Sequence, residues 1–74
     1  VDGLQRRVLV ALEHARDGMN AADARLLERR LVDLRAELDA ADYGPALRSR
    51  LNGSWSEALT AVRWTLGRYS FGLH

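Results

Sequence analysis

Seventy-four residues, a net charge of +1 and no cysteine describe one small domain without disulfides or a thiolate metal site. No apolar run approaches the ~20 residues that span a bilayer and the first residues lack a signal peptide's organisation, so a soluble, cytoplasmic protein is expected, with no membrane partner. All eleven basic residues are arginine, a bias that GC-rich coding produces without any functional cause, and so small a net charge does not by itself imply a polyanionic partner.

Taken in order, the chain opens with a helix expected over 4–16. Leu4, Val8, Ala11, Leu12 and Ala15 share one face, with Arg6, Glu13 and Asp17 opposite. Leu9 and Val10 depart from that division, on the flank and the back. Asp17-Gly18-Met19-Asn20 reads as a short connection suited to an antiparallel helix hairpin.

The long central helix is expected over 21–42. Asn20 can cap it, and Gly44-Pro45 is expected to end it through a left-handed glycine and a proline that cannot continue the ladder. Ala24, Leu27, Leu31, Leu34, Leu38 and Ala41 fall at alternating steps of three and four, a heptad seam. Such a seam serves either as internal core or as a contact between copies. For a contact, the flanking charges choose the geometry. Parallel pairing sets Arg30 against Arg35 and Glu37 against Asp42, whereas antiparallel pairing matches Glu28 with Arg35 and Arg30 with Glu37. An antiparallel homo-oligomer is therefore expected if the long helices pair; an internal seam and self-association can coexist if Val10, Leu26 and Leu9 supply a second surface.

After Pro45 a short helix is expected over 46–52, closed by Asn52-Gly53. A capping box, Ser54-Trp55-Ser56-Glu57, then starts a final helix over 55–68, followed by a tail over 69–74. Trp55, Leu59, Val62 and Leu66 share the core face of that helix. Trp64 points the other way: with Phe71 it is an expected interface residue, the alternative being that Phe71 and Leu73 of the tail fold back to cover it. Residues 45–66 also resemble a helix-turn-helix, with Gly53 in the turn. That reading offers Arg48, Arg50, Thr60, Arg63 and Arg68 as nucleic-acid contacts, although Glu57 on the reading face opposes phosphate.

Catalytic chemistry finds little support. His14 with Glu13 and Asp17 falls short of a metal site, and there is neither a nucleophile elbow nor a glycine-rich phosphate loop, so no cofactor is expected. The sequence reads as an all-α bundle of three main helices plus one short helix. Its expected role is a non-catalytic protein–protein association, dimerisation or adaptor module, with a small DNA-binding regulator as the alternative.

Overall fold

A computed structural model describes residues 3–72, with side chains through Arg68. Its elements are α1 (Gly3–Asp17), α2 (Ala21–Ala40) and α3 (Pro45–Gly72), all packed on one another, with no strand among the described residues. Short connections make sequential helices antiparallel neighbours. Arg7 near the start of α1 reaches Glu37 near the end of α2, while Trp55 and Asn52 on α3 meet Leu31 and Arg35 in opposite order.

Asn20 begins α2 as expected: its Oδ1 accepts the Asp23 backbone N–H at 2.8 Å, satisfying a donor that the first turn leaves without a partner. Gly18 takes φ +90°, the left-handed conformation that lets the chain reverse within three residues. The end of α2 differs from expectation. The helix stops at Ala40, before Gly44, because Ala41 turns extended (φ −75°, ψ 142°) and Gly44 has no positive φ. Gly44 instead starts α3, its carbonyl accepting the Arg48 N–H at 2.9 Å, with Pro45 at the first helical position. The Arg48 side chain donates back to the Ala41 carbonyl at 2.7 Å and closes the corner.

The largest correction lies in α3. The expected helices over 46–52 and 55–68 are parts of one 28-residue helix that runs through Asn52-Gly53-Ser54, so the short fourth element is absent and the tail is helical as far as Gly72. Asn52 does not terminate anything; its Oδ1 accepts Arg35 Nη2 at 3.0 Å. Residues 73–74 of the expected tail lie outside the described residues.

The core is apolar throughout. Val8, Ala11, Leu12 and Ala15 of α1 pack with Ala24, Leu27, Leu31, Leu34 and Leu38 of α2, and with Leu51, Ala58 and Val62 of α3. The largest fully buried side chains, Val8, Leu31 and Val62, come one from each helix. Alanines between the larger groups let the backbones approach. No polar side chain is buried among the described residues, and no buried side-chain polar atom lacks a partner. No helix is long and apolar enough to cross a membrane among those residues.

Candidate interaction faces

The residues expected to form an interface separate into two groups. Leu27, Leu31, Leu34 and Leu38 are buried by α1 and α3 within the chain, so their face of α2 is occupied. Two of the four flanking charges are also committed. Arg7 grips Glu37 with two hydrogen bonds, of 2.8 and 2.6 Å. Arg35 donates to Asp39 at 2.6 Å and to Asn52, and its guanidinium carbon lies 4.9 Å from the centre of the Trp55 ring. Glu28 is half-buried, while Val10, Leu26 and Arg30 remain exposed.

Large apolar side chains reach solvent on each helix: Leu9 and Val10 on α1, Leu26 and Val32 on α2, and Trp64 on α3. Leu26, Val32 and Trp64 are 58%, 60% and 64% exposed. A cleft of about 390 Å³ runs between α1 and α2, floored by Ala11, Leu27 and Leu34 and rimmed by Arg6, Val10 and Arg30. A second depression follows the outward side of α2 past Leu26, Arg29 and Val32. Val32 escapes a sequence reading centred on the inward stripe, yet its position off that stripe is the signal that places it outside.

The five residues proposed for nucleic-acid contact share one helix but not one place. Arg48 and Arg50 sit in its first turns, whereas Thr60, Arg63 and Arg68 follow near its other end, all exposed. Arg48 to Arg63 spans about 22 Å along the axis. With α3 continuous, the turn that a helix-turn-helix requires over 45–66 is absent. Arg68 lies over the Trp64 ring, its guanidinium carbon 5.0 Å from the centroid. The Phe71 side chain lies outside the described residues.

Among the described residues, shifted titration is found at the clamps between helices. Arg16 on α1 donates to Glu57 on α3 at 2.6 and 3.0 Å. The hydrogen bonds from Arg16 and Arg7 hold Glu57 and Glu37 below the ordinary carboxylate range; charge attraction adds to them and partial loss of hydration opposes them. Glu57 in turn raises Arg16. These groups are solvent-exposed structural pairs that join helices, and no three His, Asp or Glu side chains converge as a metal site among the described residues. No family model matches the chain, and neither a curated protein nor a solved structure matches it.

Proposed function

We propose that this chain is a non-catalytic association module of the cytoplasm, acting as a dimerisation or adaptor domain through its helical faces. One observation carries the reading: a bundle whose core is already full still presents Leu9, Val10, Leu26, Val32 and Trp64 to solvent. Side chains of that size lower the free energy when they leave water, at roughly 25 cal/mol per Å² of apolar area covered. In a chain this small they are a larger share of the surface than in an average domain.

Sedimentation equilibrium from micromolar to millimolar concentration tests the proposal. A mass that rises above the monomer is expected, and a strict monomer over that range removes self-association.

A second reading, contact with nucleic acid, is favoured by one feature of α3. Its four arginines, at 48, 50, 63 and 68, are exposed, and its single carboxylate, Glu57, is neutralised by Arg16. Titration against duplex DNA at two salt concentrations separates the readings, because phosphate contacts make affinity fall steeply with salt. Salt-insensitive or undetectable binding leaves association alone.

A further inference from the structure

We infer that the outward face of α2 is the contact surface for a second copy of this chain, packed antiparallel about a two-fold axis, with Arg29 of each copy against Asp33 of the other. The inference rests on the association reading and names its partner and its surface.

The inward stripe of α2 is filled by the bundle's own core. On the opposite side a second stripe recurs at steps of four and three: Ala22, Leu26, Arg29, Asp33, Ala36 and Ala40, all exposed. Its ends are small or apolar, which lets another helix approach closely, and its centre is charged. Neither Arg29 nor Asp33 has a hydrogen-bond or ion-pair partner among the described residues, although they lie one turn apart on the same helix.

An antiparallel copy centred on that stripe places Ala22 against Ala40, Leu26 against Ala36, and Arg29 against Asp33, each twice by symmetry. Val32 of the two copies meets near the axis on the flank toward α3, and Arg25 faces Asp39 beside it. On the flank toward α1 the two Arg30 side chains approach each other, with Asp33 of the opposite copy close to each. Asp23 comes opposite Glu37, whose charge Arg7 already balances. Parallel pairing in register sets Arg29 against Arg29 and Asp33 against Asp33, so the charges select the antiparallel arrangement. The stripe is therefore complementary to itself, a condition that a symmetric contact imposes and an unrelated partner does not. A face one helix wide and about 30 Å long falls at the small end of specific interfaces, so dissociation on the order of micromolar is expected.

Arg29→Asp and Asp33→Arg test this through sedimentation equilibrium, with circular dichroism reporting that each variant remains helical. Either substitution alone turns both central contacts repulsive, and each variant should dimerise at least about tenfold more weakly than the native chain. Mixed in equal amounts, the two variants should form a heterodimer of native affinity, because every central contact again joins opposite charges. A native dimer with neither variant weakened overturns the α2 surface and leaves the association reading standing. Weakened variants that fail to recover on mixing overturn the register. A native chain that stays monomeric at millimolar concentration overturns both.

Discussion

Trp55 ties three interactions together at one point of the bundle. Its Nε1–H donates to the Leu31 carbonyl at 2.6 Å, Arg35 covers its ring, and its body packs against the hydrophobic core. Truncating Trp55 to Ala removes all three and should cost about 3–5 kcal/mol, enough to unfold a domain of this size near physiological temperature. Trp55→Phe keeps most of the packing and loses the N–H donor, for about 1 kcal/mol. Trp64→Ala removes an exposed ring and a cation–π contact to Arg68, and should change stability by no more than about 0.5–1 kcal/mol. Thermal melts of the three variants check that order, and a Trp64→Ala protein that melts earlier than Trp55→Ala reverses it. Helical spacing alone sets Trp55 on the side of Val62 and Trp64 across from it. The carbonyl that Trp55 finds lies 24 residues away on another helix, and no local pattern announces it.

At the scale of the element, α3 shows local chemistry losing to packing. Asn52-Gly53 and the capping sequence at Ser54 each favour a break, by amounts near 1 kcal/mol. Against them, Leu47, Leu51, Trp55, Ala58, Val62 and Leu66 keep one helical phase straight across Gly53, at steps of four, four, three, four and four. A turn at Gly53 discards that phase, and with it the shared burial of both halves against α1 and α2. The unbroken spacing was legible in the sequence; its weight relative to the turn signals depends on partners that only the assembled bundle supplies. Gly53→Ala should accordingly stabilise the protein by about 0.5–1 kcal/mol, since a Cβ there meets nothing within 4 Å and the backbone is already helical. Gly18→Ala should do the opposite by about 1–2 kcal/mol, because φ +90° strains any side chain. Denaturant midpoints decide both signs. The inward stripe of α2 was equally legible, as was the cap at Asn20. The outward stripe was legible only in part: Leu26 stands out as a second surface, while the charged pair at its centre gains meaning only when α1 and α3 have claimed the other side.

The whole molecule is a rod of 45 × 17 × 16 Å, clipped along its sides by Arg7–Glu37 and Arg16–Glu57. Both carboxylates titrate below their unfolded range, so the folded state binds fewer protons than the unfolded chain in that window. Their contribution is fully present above the unfolded carboxylate pKa and is lost as pH falls through the depressed folded values. The melting temperature should therefore decline as pH drops below about 4, and a Glu37→Gln/Glu57→Gln variant should show a shallower decline. An unchanged pH profile in that variant assigns the acid sensitivity to other carboxylates. The same two clips bear on a choice that the core leaves open. Three helices running up, down and up can close in either of two mirror-related hands, and the buried alanine, leucine and valine side chains make no polar contact that distinguishes them. Arg7 and Arg16 stand on opposite flanks of α1, one reaching α2 and the other α3, while Asn52 and Trp55 fasten the far side of α3 to α2. Exchanging the places of α2 and α3 parts every one of these couples at once. The polar contacts that tell one hand from the other thus lie along the wetted edges of the bundle and not in its greasy centre.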